Sequence, residues 1–438
     1  MGHSDVIRRG LLVLAFGLGL VACGEQELLL EGERLDVRGN PVPSNEVNRA
    51  AALPLPAAVA NSSWSHVGGS PSHLVRHPAL GTSLSVAWSV PIGQGNGRKH
   101  RITADPVVLN GRVFALDSRA QVTAVSTAGQ ALWSTDLTPA SENADDASGG
   151  GLAVEGNRVF ATSGFGILTA LDVASGTVLW RHDFEAGATA PPTVANGVVY
   201  AVTANSVGWA LSAETGRVLW QVFGAVGDRS STAAPAPVIT GPLVVFPFPS
   251  GQMVAAATGT GSEAWSASVA GQRAGFAAAV LTDLTAGPVV ADNTIFAGSF
   301  AGRSAAFDAT TGQQVWEATD GAAGLLWHAA GGLFFVSERN QLIRLNAATG
   351  EQVWSRDLPL FKRDRIRRRK SVFLHHGPVL AGGRLVIASD DGNVREFNPV
   401  DGALLRTFEL PDGIASNPIV AGRTLYLISE NGRLLALR

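Results

Sequence analysis

The sequence contains one cysteine, Cys23, among 438 residues. Because a disulfide needs two thiols, the chain is not a domain stapled by internal disulfides. Charged residues are scarce at 16% and the formal net charge is only −3, which gives no indication of general nucleic-acid binding. Methionine is rarer still, with 2 residues against 51 glycines. That balance disfavours a helical bundle and is typical of short strands joined by tight turns.

The N-terminus has the pattern of an export signal. Two arginines precede an apolar run at residues 11–21, which is too short to span a bilayer comfortably. Small residues then lead to Cys23, as in the bacterial lipobox, where the thiol is acylated and the chain is cut before it. We therefore predict a lipoprotein signal peptide at residues 1–22 and lipidation at Cys23, with an ordinary secretory signal as the alternative. Gly24, in place of an aspartate, resembles the sorting pattern for the outer membrane of Gram-negative bacteria.

Residues 23–60 are predicted to be a flexible tether. They are rich in proline, alanine and asparagine and have no sustained periodicity. About 35 fully extended residues would reach roughly 115 Å. The remainder, residues 61–438, is expected to form one domain, because a repeat array can stay single at this length.

A short phrase recurs along this domain. It reads LDVASGTVLW at residues 171–180, and close variants end at Trp220, Trp316 and Trp354. Each copy has a glycine four residues before the tryptophan, and looser copies continue to Arg406, where the tryptophan is replaced. The repeated tryptophans are 38 to 51 residues apart, at Trp88, Trp133, Trp180, Trp220, Trp265, Trp316 and Trp354. This period is typical of propeller blades.

Each repeat unit is predicted to contain four short strands. The first two form a hairpin after a proline, as in DPVVLNGRVFAL (105–116), where an Asn-Gly pair separates two apolar runs. Seven complete units are followed by residues 417–438, which supply only three strands, and residues 83–93 contain the missing one. We therefore predict an all-β, eight-bladed β-propeller of four-stranded antiparallel blades, closed by N- and C-terminal strands in one blade.

The glycine and the tryptophan of the phrase have separate predicted roles. Glycine allows the positive φ of a tight turn. The indole is expected to lie on the outermost strand and to pack against the next blade, burying roughly 150–250 Å². We therefore interpret the repeated tryptophans as structural residues.

The long insertions share one type of connection. They fall between a tryptophan strand and the next proline-initiated strand, at residues 138–151, 226–234, 268–286 and 358–376. Loops of one type emerge on one face of a propeller, so we predict that this face binds a partner.

One insertion contains FKRDRIRRRK (361–370), with seven basic residues and one acidic residue. It is either a solvated loop or a contact for an acidic partner or lipid head groups. His375 and His376 follow without metal-ligand spacing, and the carboxylates at 142–146 lack the spacing of a calcium loop. The sequence has no nucleophile elbow, phosphate loop or zinc-protease motif. These patterns indicate no metal, no cofactor and no catalytic residue.

The repeated phrase resembles the repeat of quinoprotein dehydrogenases, which bind pyrroloquinoline quinone. Residues 170–180 and 306–316 follow the pattern A-x-D-x-x-T-G-x-x-x-W, with Ser175 replacing the threonine in the first. Many of those enzymes place a cysteine pair against the cofactor, and this chain has no cysteine besides Cys23. The resemblance implies the architecture, and a periplasmic quinoprotein oxidoreductase stays open as an alternative function.

Four further segments carry a closer resemblance: LEGERLDV (30–37) and residues 149–172, 281–303 and 367–392. They are similar to the BamB family of outer-membrane assembly lipoproteins, of the alphaproteobacterial type. The resemblance implies a non-enzymatic scaffold without a cofactor, lipid-anchored on the periplasmic side of the outer membrane. It would bind a POTRA domain of BamA and other BAM complex subunits, and would assist folding and insertion of outer-membrane proteins. A lipid-anchored propeller with another envelope partner stays open.

The same resemblance implies partner-binding residues in loops of the central blades, here 226–234 and 268–288. Asp283, five residues before Pro288, matches an aspartate of the family. Arg229 lies near an arginine of the enteric pattern, although this chain reads VGDRSST where that pattern has Leu-Ser-Leu-Arg. We therefore expect Arg229 and Asp283 to contact the partner. A turn-capping role is the alternative for Asp283.

Overall fold

The computed structural model describes residues 48–225, 235–269, 271, 284–363 and 365–438. They belong to one compact unit that begins at Glu46. In this part of the chain, no helix has the length and apolar character that a bilayer crossing requires. The predicted signal peptide, Cys23, Arg229 and Asp283 lie outside the described residues.

The fold consists of eight antiparallel sheets of four strands, which are the blades of a propeller. The strands of each blade are called a to d, from the axis outwards. Blades 1 and 2 contain β2 (Val107–Leu109), β3 (Arg112–Leu116), β4 (Gln121–Ser126), β5 (Ala131–Asp136), and β6 (Gly150–Glu155), β7 (Arg158–Ser163), β8 (Ile167–Asp172), β9 (Val178–Asp183). Blades 3 and 4 contain β10 (Thr193–Ala195), β11 (Val198–Val202), β12 (Val207–Ser212), β13 (Val218–Phe223), and β14 (Val238–Thr240), β15 (Leu243–Pro247), β16 (Gln252–Ala257), β17 (Glu263–Ser268).

The second half of the ring repeats the same order. Blades 5 and 6 contain β18 (Leu284–Ala291), β19 (Thr294–Ser299), β20 (Arg303–Asp308), β21 (Gln314–Ala318), and β22 (Trp327–Ala329), β23 (Gly332–Val336), β24 (Gln341–Asn346), β25 (Gln352–Asp357). Blades 7 and 8 contain β26 (His375–Ala381), β27 (Arg384–Ser389), β28 (Asn393–Phe397), β29 (Leu404–Glu409), and β30 (Ile419–Ala421), β31 (Thr424–Ile428), β32 (Arg433–Leu437), β1 (Val86–Pro91).

Blade 8 closes the ring with strands from both ends of the domain. β1 runs antiparallel to β32, with Ser89 opposite Leu435. The N-terminal strand is therefore strand d of a sheet whose other three strands come last in the chain. The prediction of eight four-stranded blades closed by the two termini is confirmed.

Burial depends on the position of a strand in its blade. β8, a strand c, has four consecutive buried residues, whereas β9, a strand d, alternates between partly buried and exposed residues. Neighbouring blades cover both faces of the inner strands. The sequences of these strands are therefore continuous apolar runs. The outer strand borders solvent and keeps a period of two.

Each tryptophan of the repeat lies on strand d and contacts the next blade. The indole N–H of Trp133 donates to the carbonyl of Val173 at 3.1 Å, and that of Trp265 donates to Ala309 at 3.2 Å. The same bond is made by Trp88, Trp180, Trp220, Trp316 and Trp354. Seven of the eight contacts between neighbouring blades thus share one geometry, which we call the indole junction.

The glycine of the phrase lies directly against the indole of the preceding blade. Gly312 has a φ of +71°, and a Cβ added there would come within 2.6 Å of the Trp265 ring. Gly350 has a φ of +73° and an equally close approach to Trp316. Glycine is therefore required twice, by the left-handed turn and by the ring packed on its Cα.

The contact between blades 7 and 8 differs, because strands c and d of blade 8 are not joined by a turn. Arg406 takes the place of the tryptophan. Its guanidinium lies 2.7 Å from the buried carboxylate of Glu396 and donates to the carbonyl of Thr82 at 2.5 Å. Arg384 pairs with the same carboxylate at 2.8 Å. A charged cluster thus replaces the indole junction where the glycine turn is missing.

The ring has two faces with different connections. The turns between strands a and b and between strands c and d lie on one, which we call the turn face. The opposite face, the loop face, has the b–c loops and the connections from strand d to the next blade. The four long insertions are connections of this last type, so they start and end on the loop face.

Residues 59–81, the axial segment, fill the centre of the ring. Trp64 exchanges two backbone hydrogen bonds of 2.8 Å with Val108 on the inner strand of blade 1. The segment also accepts hydrogen bonds from backbone amides in six other blades, namely from Val154, Val194, Ile239, Val290, Gly382 and Gly422. In blade 6 the contact is a stack of Trp327 on Trp64, with ring centroids 6.0 Å apart. The axial segment therefore contacts all eight blades.

The axial segment is buried and polar at several positions. Trp64 is 1% exposed, and His66 and His73 are each 2% exposed. Burial lowers the pKa of His66 to about 3 and that of His73 to about 4. Both imidazoles are therefore neutral at neutral pH.

Residues 48–55 lie along the rim at blades 6 and 7. The Arg49 amide donates to the carbonyl of Val353 at 3.1 Å. Arg344, which is 5% exposed, donates to the carbonyl of Ala51 at 2.7 Å. The tether was predicted to extend to residue 60, but its last residues are bound to the blades. Among the described residues the first such contact is that of Asn48, whose side chain accepts a hydrogen bond of 2.9 Å from the amide of Ser355.

Candidate partner-binding face

The two segments expected to bind a partner connect neighbouring blades on the loop face. Residues 226–234 belong to the connection between blades 3 and 4, and residues 272–283 to that between blades 4 and 5. Arg229 and Asp283 lie outside the described residues, so only the ends of these connections are placed.

The ends of the first connection are fixed on blades 3 and 4. Gly224 lies against Phe248, where an added Cβ would approach the ring to 2.2 Å. The next amide, that of Ala225, donates to the side-chain oxygen of Gln252 at 2.7 Å. After the connection, the carbonyl of Pro237 accepts a hydrogen bond of 2.5 Å from a threonine of blade 3. The first connection therefore has a rigid base.

The second connection leaves blade 4 at Val269, whose amide donates to the carbonyl of Gly251 at 3.3 Å. It enters blade 5 at Leu284, which is 1% exposed. The hydroxyl of Thr285 then donates to the carbonyl of Ala322 at 2.7 Å. Because both connections share blade 4, their bases lie in one sector of the loop face.

An exposed aromatic side chain lies at the base of the first connection. Phe223, the last residue of β13, is 70% exposed. At the same place in strand d, as defined by pairing with strand c, other blades have acidic residues: Asp136, Asp183, Asp357 and Glu409. Phe223 belongs to none of the motifs or insertions from which partner-binding residues were predicted. Alignment of the repeats would have found it, because an aromatic residue replaces an acid at a solvent-facing position.

The connection between blades 6 and 7 forms a hairpin on the loop face, residues 360–363 and 365–374, which we call the basic hairpin. A bridge between Phe361 and Val372 closes its base. The ammonium group of Lys362 lies 2.5 Å from the carboxylate of Asp390. The tip is a 3-10 turn at Ile366–Arg368.

His375 and His376 lie at the foot of the basic hairpin, at the start of β26. Nε2 of His375 donates to the carbonyl of Pro359 at 2.8 Å, and its Nδ1 accepts from the hydroxyl of Ser389 at 2.6 Å. Burial lowers the pKa of His375, and it lowers the pKa of His376 to about 4. In the described part of the chain, no three His, Cys, Asp or Glu side chains are grouped as metal ligands.

The architecture defines a class: closed eight-bladed propellers built from repeats of the pyrroloquinoline-quinone type, with insertions on one face. A family model described as outer membrane protein assembly factor BamB matches residues 118–356 and 344–438. These matches cover more than half of the sequence. The protein therefore belongs to the BamB family; its assignment to the alphaproteobacterial type stays a prediction.

Curated relatives agree with this assignment, and solved structures share the fold. The chain is 25% identical over 360 residues to outer membrane protein assembly factor BamB of Yersinia pestis, covering 81% of this chain and 88% of the relative. It is similar to the crystal structure of BamB from Moraxella catarrhalis, with a TM-score of 0.67 and 21% identity over 81% of this chain and 100% of that one. A quinohemoprotein alcohol dehydrogenase from Comamonas testosteroni gives a TM-score of 0.65 at 15% identity, covering 87% and 81% of the two chains. At such identities, the structural similarities show the fold alone.

Proposed function

We propose that this protein is a non-enzymatic scaffold of the BAM complex that assists the folding and insertion of outer-membrane proteins. The observation that carries the proposal is the match of the BamB family model to residues 118–356 and 344–438. Similarity to the Yersinia pestis relative over 81% of the chain adds support, because it extends beyond a single shared repeat.

The proposed partner contact is a POTRA domain of BamA on the loop face at blades 3 to 5. Two connections begin and end there, and the 70% exposed Phe223 stands beside the first. An exposed aromatic anchor next to polar loops has the composition of a protein interface. In this proposal Arg229 and Asp283 supply charged contacts around Phe223.

The proposed location is the periplasmic side of the outer membrane. Acyl chains on Cys23 would hold the mature protein after removal of residues 1–22. More than one acyl chain is needed for stable anchoring, since a single chain binds reversibly. Residues 24–47 would separate the anchor from the first blade contact at Asn48.

The alternative function is that of a periplasmic quinoprotein oxidoreductase. It is supported by the fold, which is shared with a quinohemoprotein alcohol dehydrogenase. The buried stack of Trp64 on Trp327 occupies the axis, so a ligand entering from the turn face would meet these two rings. The alternative is tested by adding pyrroloquinoline quinone and calcium to the purified protein and following reduction of a dye. Turnover above background would favour the enzyme.

The scaffold proposal is tested by affinity purification from solubilised membranes, with the full chain tagged within residues 24–47. BamA is expected in the purified material. Phe223→Asp and the double change Arg229→Glu with Asp283→Arg are each expected to lower its recovery on the order of 10-fold or more, as for interface hot spots.

The matched control is Arg217→Glu on blade 3, which changes an exposed arginine on the turn face. It is expected to leave the recovery of BamA unchanged. Absence of BamA with the unaltered chain would contradict the proposed function. Equal recovery with all variants would contradict only the proposed contact at blades 3 to 5.

A further inference from the structure

We propose that the basic hairpin is a membrane-binding element. In this proposal its exposed guanidinium and ammonium groups bind the phosphates of anionic lipids, and Ile366 enters the interface between head groups and acyl chains. The hairpin joins blades 6 and 7, whereas the proposed BamA contact lies at blades 3 to 5. The two proposed contacts therefore use different sectors of the loop face.

The cations of the hairpin are exposed and available. Within the described residues, no ion pair or side-chain hydrogen bond is made by Arg363, Arg365, Arg367, Arg368 or Lys370, and all five are exposed. The protein as a whole has a net charge of −3, so this density of positive charge is local. Each basic residue near an anionic membrane contributes about 1 kcal/mol of attraction.

An apolar residue lies in the middle of these cations. Ile366 is 82% exposed, the largest fraction among the exposed large hydrophobic residues that the structure describes, and Leu374 of the same hairpin is 57% exposed. In a loop that contacts only water, an exposed apolar side chain at the tip is not stabilised by any contact. An acidic protein surface would pair with the cations but leave Ile366 in water. A membrane interface satisfies both, because phosphates lie just above the acyl chains.

Contacts within the hairpin also fix its conformation. The guanidinium of Arg369 lies 4.8 Å from the centroid of the Phe361 ring, and the Lys362 ammonium lies 5.7 Å from that of Phe373. These contacts and the bridge at the base fix the hairpin before it binds. Little conformational entropy is then lost when the tip meets a surface.

Asn48, the first residue that the structure describes, contacts the strand that leads into this hairpin. Asn48 contacts Ser355 on the outer strand of blade 6, and that strand continues to the loop face, where the hairpin begins at residue 360. The segment between Cys23 and Asn48 would reach roughly 80–90 Å if fully extended. An anchor at Cys23 would therefore leave this rim of the ring within reach of the lipid. This step rests on the proposed anchor.

The test uses the mature chain from residue 23 with Cys23→Ser, so that no acyl chain contributes. Binding is measured by co-sedimentation with vesicles of phosphatidylcholine alone and with vesicles that also contain phosphatidylglycerol. We expect binding only to the anionic vesicles. The double variant Arg367→Ala with Arg368→Ala is expected to bind on the order of 30-fold more weakly, given about 1 kcal/mol per cation. Ile366→Ser is expected to bind roughly 10-fold more weakly.

The matched control is Arg181→Ala with Arg217→Ala, which removes two exposed arginines from blades 2 and 3. It has the same net charge as the hairpin variant and is expected to bind like the unaltered chain. Equal losses of vesicle binding in both double variants would overturn the proposal. Unchanged vesicle binding by Ile366→Ser would also overturn it. Thermal melting checks that every variant is folded.

Two further outcomes separate this proposal from others. Hairpin-dependent binding to polyglutamate, without binding to anionic vesicles, would overturn it in favour of an acidic protein partner. Recovery of BamA with the hairpin variants is expected to be unchanged. Vesicle binding by an unaltered chain that does not recover BamA would support the membrane contact while contradicting the proposed function.

Discussion

The rim and the axis of this propeller are held together in opposite ways. At the rim, one contact is repeated seven times, with an indole N–H bound to the next blade and a glycine under the ring. At the axis, the segment 59–81 contacts all eight blades through contacts that do not repeat. The rim contacts are local, whereas the axial segment couples blades far apart in the ring.

This difference has a consequence for stability. Loss of one indole junction affects two neighbouring blades, as expected for a repeat array with nearest-neighbour interactions. Loss of the axial segment removes partners from the inner strands of seven blades at once. Buried amides without partners are costly, so the axis should tolerate less change than the rim.

The largest expected effect is that of Trp64→Ala at the axis. Its ring is fully buried against Trp327, so the substitution is expected to lower the free energy of unfolding by about 3–5 kcal/mol. Trp133→Ala at the rim should cost less, about 2 kcal/mol, since that ring is only partly buried. Urea unfolding of both variants measures the difference. A larger loss at Trp133 would reverse the comparison.

The second prediction concerns the glycine under the indole. Gly312→Ala is expected to cost about 2–4 kcal/mol, because it adds backbone strain at positive φ to a clash with Trp265. Gly241→Ala has the strain alone, with nothing within 4 Å of the added Cβ, and should cost about 1 kcal/mol. Similar unfolding midpoints for the two variants would show that the Trp265 ring moves aside at little cost in free energy.

The third prediction is a pH dependence that arises at the axis. The pKa values of about 3 for His66 and about 4 for His73 lie below the usual 6.5, so the unfolded chain takes up protons that the folded chain does not. The free energy of unfolding is therefore unaffected by these histidines above pH 6.5, and it falls as the pH is lowered from 6.5 towards 4. The slope is about 1.4 kcal/mol per pH unit for each histidine.

The measurement is the urea midpoint between pH 7 and pH 5, compared with that of His66→Gln. The variant lacks one titrating group, so its stability should change less steeply with pH, whatever its stability at pH 7. An unchanged slope would mean that protonation of His66 does not oppose folding.

The smallest expected effect is at the contact between blades 7 and 8, where Arg406 replaces the tryptophan. Arg406→Trp restores the residue of the phrase but not the glycine turn, and it breaks the pair with Glu396. Because Arg384 still pairs with that carboxylate, the loss should be about 1 kcal/mol. A gain in melting temperature would show that an indole alone suffices for the junction.

The rim could be predicted from the sequence because its contacts repeat. A glycine followed four residues later by a tryptophan marks each blade, and the deficit of one strand after residue 417 matched the spare strand near Trp88. The arginine at position 406 was visible as a departure. Its reason was not, because it depends on the contacts of its guanidinium with Glu396 and with the carbonyl of Thr82.

The axial segment could not be predicted in the same way. NSSWSHVGGSPSHLVRH (61–77) has neither the period of a strand nor that of a helix, and its partners lie up to hundreds of residues away in sequence. The candidate site was predicted in part. The connections 226–234 and 268–286 were located on one face. Phe223 was missed because the repeats were compared at the glycine and the tryptophan and not at the end of strand d.

The sequence by itself determined the number of blades, the closure of the ring and the face that has the insertions. Those properties follow from spacing along the chain, which a repeated pattern records. Only the tertiary structure decided that residues 59–81 fill the axis, that Arg406 joins a charged cluster and that Asn48 contacts the outer strand of blade 6. These depend on which distant residues closure of the ring brings together, and single contacts of that kind leave no period in the sequence.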